Sequence, residues 1–203
     1  MFKKGDQTCF SNYRPISLLP AISKVFERIL HDQIYNYFEN NSLFFFSQYG
    51  YRRKHSTEFA TVQLVEYIIS KIDQRKDVAT VFMDLSKAFG TIDHGTILIS
   101  YLRIIFSSEA LGLLKNYLFN RKQCVQYKDV ISDFTDIHTG VPQGSILGPL
   151  LFIIYINDLS SASDMFDIIS SADDSTSIFS PNVTLHGQHT SSVINCELEK
   201  INK

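Results

Sequence analysis

The sequence predicts an α+β fold, a small antiparallel sheet backed by helices. Two stretches, ISKVFERILHDQIYNYFENN and the residues after Ser56, repeat apolar residues at helical spacing. Elsewhere stand short β-type runs, VATVFM, MFDIIS and STSIF, the last two separated only by SADD and readable as a hairpin. Size is the third observation. A chain of 203 residues, 44% hydrophobic and 20% charged, suits one large packed domain or two small ones, with a core that removes about 70% of the extended chain's surface from water.

Each element follows from local chemistry. After a basic, Pro-punctuated start, Ile22, Val25, Phe26, Ile29, Leu30, Tyr37 and Phe38 keep helical spacing, and this helix should end near Asn40–Asn41. QYGYRRKHST then supplies a Gly-centred turn and a basic cluster, and Ser56 or Thr57 can cap a second helix through Phe59, Val62, Val65, Ile69 and Ile72. VATVFM, residues 78–83, lies between Asp77 and Asp84 and reads as a buried strand with Asp84 at its end. Helices at about 95–105 and 109–119 lead through NRKQ to a short strand, CVQY. Three glycines and two prolines make TGVPQGSILGP a structured loop, and LLFIIYINDL after it reads as a helix. The MFDIIS/STSIF hairpin carries two carboxylates at its tip, and CELEKINK begins a last helix.

Composition narrows the possibilities further. The longest apolar run, Leu147 to Ile156, holds Gly148 and Pro149 and is far shorter than the roughly 20 residues of a membrane span. MFKKGDQTCF lacks the apolar core of a secretory signal, so an intracellular protein is expected. Cys9, Cys124 and Cys196 are widely spaced, form no metal pair, and are expected as buried thiols. The formal net charge of −2 argues against nucleic-acid binding by bulk positive charge. Charge is nonetheless segregated: residues 131–203 carry nine acidic against two basic side chains, and the balance before them is basic.

Carboxylates delivered to one end of adjacent strands, Asp84 with Asp173 and Asp174, can share Mg²⁺, which prefers hard oxygen ligands and takes one or two carboxylates plus substrate phosphates. Standing alone, an Asp-Asp turn is usually just a solvated turn, and Asp84 an ordinary strand terminator. Arg52, Arg53, Lys54 and His55 precede a helix start, where side chains and backbone N–H groups can hold a triphosphate, or else form a solvated face. The loop Thr139–Pro149 can press bare backbone against a ligand, or simply connect two buried elements. His186 and His189 have no third ligand spaced to help and stay unassigned.

Taken in order, FKKGD, NYRPISLL, SKVFERIL, QYGYRRKHST, FMDLSKAF, YLFNR, GVPQGSILGPLLFIIYINDL and ADD resemble the reverse transcriptase domain of non-LTR (LINE-like) retrotransposons. The resemblance covers nearly all of residues 2–203. It implies an RNA-directed DNA polymerase whose partners are an RNA template, a DNA primer and dNTPs, with no membrane. Residues 1–76 would be a mostly helical, basic fingers region, and 77–203 a palm carrying the small sheet. Asp84, Asp173 and Asp174 match the family's catalytic carboxylates, with Asp84 and Asp173 direct ligands of two Mg²⁺ ions, for which Mn²⁺ can substitute. One ion would lower the pKa of the primer 3′-OH and the other would hold the triphosphate and leaving pyrophosphate. Phe89 matches the aromatic beneath the sugar that excludes a 2′-OH. Gln143 and Gly144 match the loop against the incoming nucleotide and template, and Arg52, assisted by Arg53, a basic residue near the phosphates. A retrotransposon protein of this kind works in the cytoplasm and nucleus.

The sequence also departs from that pattern. Gly90 stands where the family usually has Asp, expected to cap the helix after the strand, Lys54 stands for Gly, and Ser171 replaces the aromatic before ADD. The chain stops in ELEKINK, ahead of the family's primer-gripping hairpin and thumb, and starts inside a family motif without the upstream endonuclease domain. The resemblance therefore implies fingers and a partial palm that polymerise negligibly alone. The alternative expectation is an inactive remnant that keeps nucleic-acid binding, or a non-enzymatic interaction fragment.

Overall fold

A computed structural model of the chain describes all residues except 1, 3, 10, 11, 14, 86, 87, 103–105, 181–187, 202 and 203. It divides into two units, each assembled from two stretches of chain: 1–36 with 87–155, and 37–86 with 156–203. Helices and small antiparallel sheets are both present, as the sequence predicts.

Helix α1 (Ala21–Asn40) stops where its spacing predicts, the Asn41 side chain donating to the Tyr37 carbonyl at 2.8 Å. Its buried face is the expected one only at Phe38 and, in part, Leu30. Ile22, Val25, Phe26 and Ile29 are exposed, whereas Glu27, Ile34, Tyr35 and Phe38 are buried. Glu27 goes inside because partners await it: its carboxylate accepts from the Ile146 amide at 2.6 Å and from the Tyr117 hydroxyl at 3.2 Å. A buried carboxylate is tolerated only with such bonds. Burial, with the Glu27 carboxylate adding to it, pushes the Tyr117 hydroxyl up to about 12. Tyr117 therefore remains a donor at ordinary pH.

The first unit continues with α3 (Ala88–Thr91), α4 (His94–Thr96) running on as a π-helical stretch (Ile97–Leu102), and α5 (Ser108–Leu118). These stand for the helices expected at about 95–105 and 109–119, with 103–105 outside the described residues. Gly90 lies within α3 and caps nothing; the cap belongs to Asp93, whose side chain accepts from the Thr96 amide at 2.6 Å at the start of α4. Two short ribbons follow, β2 (Arg121–Gln123) with β5 (Thr135–Ile137) and β3 (Gln126–Tyr127) with β4 (Val130–Ile131). The strand CVQY is shorter than expected because the Ser132 hydroxyl takes the Val125 amide at 2.9 Å. Helix α6 (Leu147–Tyr155) begins earlier than expected, since the Ser145 hydroxyl accepts from the Gly148 amide at 3.0 Å. Apolar all round, α6 is buried along most of its length.

The second unit is built on a three-stranded antiparallel sheet ordered β1 (Ala79–Asp84), β7 (Asp174–Phe179), β6 (Phe166–Ser171). Helix α2 (Thr57–Asp73) starts at a Ser56 cap that accepts from the Phe59 amide at 3.3 Å. Strand side chains alternate between faces, and each face has its own cover. Ile169 and Ile178 pack with Ala60, Leu64 and Tyr67 of α2, while Phe166, Ile168 and Phe179 pack with Val193, Ile194 and Leu198 of α7 (Gln188–Ile201). The expected stripe of α2 again lies outside, with Phe59, Val62, Val65, Ile69 and Ile72 exposed. The small side chain of Ala60 lets the opposite face approach the sheet.

The three cysteines, expected inside, are exposed. No helix among the described residues is long and apolar enough to cross a membrane. His186 lies outside the described residues.

Candidate active site

The hairpin is tighter than SADD suggests. Ser171 pairs with Asp174, so only Ala172 and Asp173 form the turn. Ala172 takes a φ of 62°, where glycine is the usual occupant of a two-residue hairpin turn. On the other side of β7, β1 runs antiparallel with Asp84 opposite Asp174, and the Leu85 amide donates to the Asp173 carbonyl at 3.3 Å.

That bond makes Leu85 and Asp173 the hydrogen-bonded positions. Asp84 and Asp174 therefore form the adjacent non-hydrogen-bonded pair, in which Cα atoms approach to about 4.5 Å and side chains share a face. Phe82, two residues before Asp84 on that face, is 73% exposed, so the face is open at the turn end of β1. Like charges set directly opposite destabilise a sheet. A cation between them removes that cost.

Among the described residues no group of three or more His, Cys, Asp or Glu gathers as a metal site. Mg²⁺ needs only one or two carboxylates, with phosphates and water completing its shell. The Asp84–Asp174 pair, with Asp173 next in the turn, fits that demand by its hard oxygen donors and its open face.

A second segment braces the turn. The Tyr49 amide donates to the Ser170 carbonyl at 2.7 Å, and the Ser170 amide to the Ser47 carbonyl at 2.9 Å, so Gln48 and Ser170 form a parallel bridge on the outer edge of β6. The Gln48 side-chain oxygen accepts from the Gly50 amide at 2.8 Å and from the Ala172 amide at 3.2 Å. A Cβ on Gly50 would stand 2.0 Å from the Ala172 nitrogen. Nothing in a polar Gln before a Gly announces this contact; the signal was only the close approach that a glycine permits.

Arg52 is turned onto the protein. Its guanidinium donates to the Phe45 carbonyl at 3.2 Å and the Gln48 carbonyl at 3.4 Å, pairs with Glu39 at 3.2 Å, and lies over the Phe44 ring. Arg53 and Lys54 follow as exposed residues ahead of the α2 cap.

Phe89, Gln143 and Gly144 belong to the other unit. There the Phe89 ring packs on Phe152 with centroids 5.3 Å apart, and its carbonyl accepts from the Val141 amide at 2.8 Å. Gly140, at φ 81°, lies so close that a Cβ would meet the Phe89 carbonyl oxygen at 2.8 Å. The Gln143 carbonyl accepts from the Ser17 amide at 2.9 Å, and Gly144 takes a φ of 98°. Phe89 and the 139–149 loop thus meet in one unit, whereas the three aspartates, Arg52 and Arg53 belong to the other. Glu27, which holds the loop at Ile146, is the residue that sequence reasoning missed here.

The family described as reverse transcriptase (RNA-dependent DNA polymerase) matches residues 2–199. A probable RNA-directed DNA polymerase from transposon X-element of Drosophila melanogaster is 36% identical over 73% of this chain and 16% of its own length. One from transposon BS of the same organism is 33% identical over 84% of the chain and 20% of its own. The RNA-directed DNA polymerase from mobile element jockey of Drosophila funebris is 30% identical over 78% and 17%. The chain therefore spans a fifth or less of these relatives' length.

Proposed function

Because the chain belongs to the reverse transcriptase (RNA-dependent DNA polymerase) family, as a domain of the non-LTR, LINE-like kind, we propose that it contributes the catalytic surface for RNA-directed DNA synthesis. The observation that carries this reading is the facing of Asp84 and Asp174 across β1 and β7 beside Asp173 in the turn. Asp84, Asp173 and Asp174 would hold two Mg²⁺ ions, which would supply acidification of the primer 3′-OH and charge neutralisation of the triphosphate. The aspartates contribute by fixing where that charge sits, on a sheet whose strands cannot shift register without burying them.

The remaining assignments belong to the same proposal. Phe89 lies beneath the sugar of an incoming dNTP and excludes a 2′-OH by volume. The backbone of Gln143 and Gly144 packs against nucleotide and template, and Arg53 lies near the phosphates with Arg52. Residues 1–76 form fingers and 77–203 palm. RNA template and DNA primer are the partners, met in cytoplasm or nucleus.

Transplanting residues 2–199 in place of the matching segment of the X-element relative tests the reading. A labelled primer on RNA should be extended with Mg²⁺ or Mn²⁺, and Asp173→Asn should abolish extension. A folded chimera that binds primer and template yet extends nothing, beside an active parent, would leave the inactive remnant as the better description. Ser171 is the departure that favours that second outcome.

A further inference from the structure

We propose that Gln48 is a positioning residue that sets the Ala172–Asp173 turn, and with it the carboxylates to which the proposed function gives the metal ions. The inference rests on that reading and names a residue outside it. Ala172 is an L residue in the left-handed region, with a φ of 62°, a conformation that persists only when its surroundings over-determine it. The surroundings here converge on one atom. The Gln48 carboxamide oxygen accepts from the Ala172 amide at 3.2 Å and the Gly50 amide at 2.8 Å, and Gln48 is only 3% exposed.

The rest of the segment keeps that oxygen in place. Main-chain bonds of 2.7 Å and 2.9 Å tie Ser47 and Tyr49 to Ser170. Gly50 has no Cβ and so lies flat on the Ala172 backbone, where a methyl would stand 2.0 Å from the nitrogen. Arg52 closes the outer side by donating to the Gln48 carbonyl at 3.4 Å while paired with Glu39. A neutral amide is the suitable group beside three carboxylates, because it satisfies two N–H donors without adding a fourth negative charge.

The test uses the 203-residue chain and three readings: Mn²⁺ binding by electron paramagnetic resonance, hydrogen exchange at the Ala172 amide, and the unfolding midpoint. Binding is measured well below each midpoint. Gln48→Met keeps length and removes the acceptor; if it does not fold, Gln48→Asn, one methylene shorter, takes its place. The expected result is faster exchange at Ala172 and Mn²⁺ affinity weakened about tenfold, the scale of losing an outer partner of a metal ligand. Gln48→Glu, which keeps an acceptor oxygen but adds a fourth negative charge, should restore slow exchange at Ala172, and fast exchange there would count against the acceptor role. A lowered midpoint with unchanged Mn²⁺ affinity overturns the inference, since that is what a merely structural residue would give. If the unaltered chain binds Mn²⁺ no better than Asp173→Asn, the metal reading itself fails and the inference falls with it.

Discussion

Asp84 and Asp174 face each other across two strands, an arrangement a sheet would not select for its own stability. The cost belongs to the metal-free chain and should be removable by deleting either charge. We expect Asp174→Asn to raise the unfolding midpoint at low salt, by up to about 1 kcal/mol of stability. Added Mg²⁺ should raise the midpoint of the unaltered chain by more than that of the variant. Calorimetric scans with and without Mg²⁺ check both; a lowered midpoint without metal would show that the pair is not strained. As candidates these residues were legible, because the motifs FMDL and ADD mark them. Gln48 and Glu27 were not, since each acts through a partner distant in the chain, Ala172 or Ile146, and no local periodicity announces such a contact.

Helix ends were read more accurately than helix faces. The ends of α1 and α2 follow from Asn40 and Ser56, whose effects reach only a few residues. The faces depend on what lies opposite. Both helices carry apolar residues on two sides, and the side bearing Ala60 or Glu27 won because sheet and loop offered it partners. The start of α4 illustrates the local kind. Hydrogen bonds from the Thr96 amide and hydroxyl hold the Asp93 carboxyl below its usual value of 3.8. A carboxyl depressed in the folded state contributes stability above its unfolded pKa and loses it as pH falls through the folded value. Asp93→Ala should therefore cost about 1 kcal/mol at neutral pH, and Asp93→Asn, another good cap, much less. Denaturant unfolding as a function of pH should show the gap between the unaltered chain and Asp93→Asn narrowing below pH 3.8.

Across the whole molecule, the α+β class, the hairpin and the strand ending at Asp84 were all foreseeable, whereas the partition into two units of interleaved chain was not. Neither stretch of a unit contains its whole core. The sheet of the second unit takes β1 from before residue 87 and both other strands from after residue 155, and pairing between segments so far apart leaves no periodic trace. The chain cut after Tyr155 should accordingly keep the sequence of β1 without its structure. Hydrogen exchange at Val81 and Met83, protected in the intact chain by pairing with Ser177 and Ser175, should become fast in the 1–155 fragment. Retained protection there would mean that β1 finds another partner.

The same interleaving bears on how the protein is made. Ribosomes deliver β1 long before β7, so an apolar strand with both edges unpaired waits while the intervening residues are synthesised. Premature pairing with another nascent copy is the hazard of that interval. The carboxylate that ends β1 and the charged residues on either side of it are then gatekeepers of biosynthesis as well as candidates for chemistry, holding the strand in solution until translation has passed Phe179.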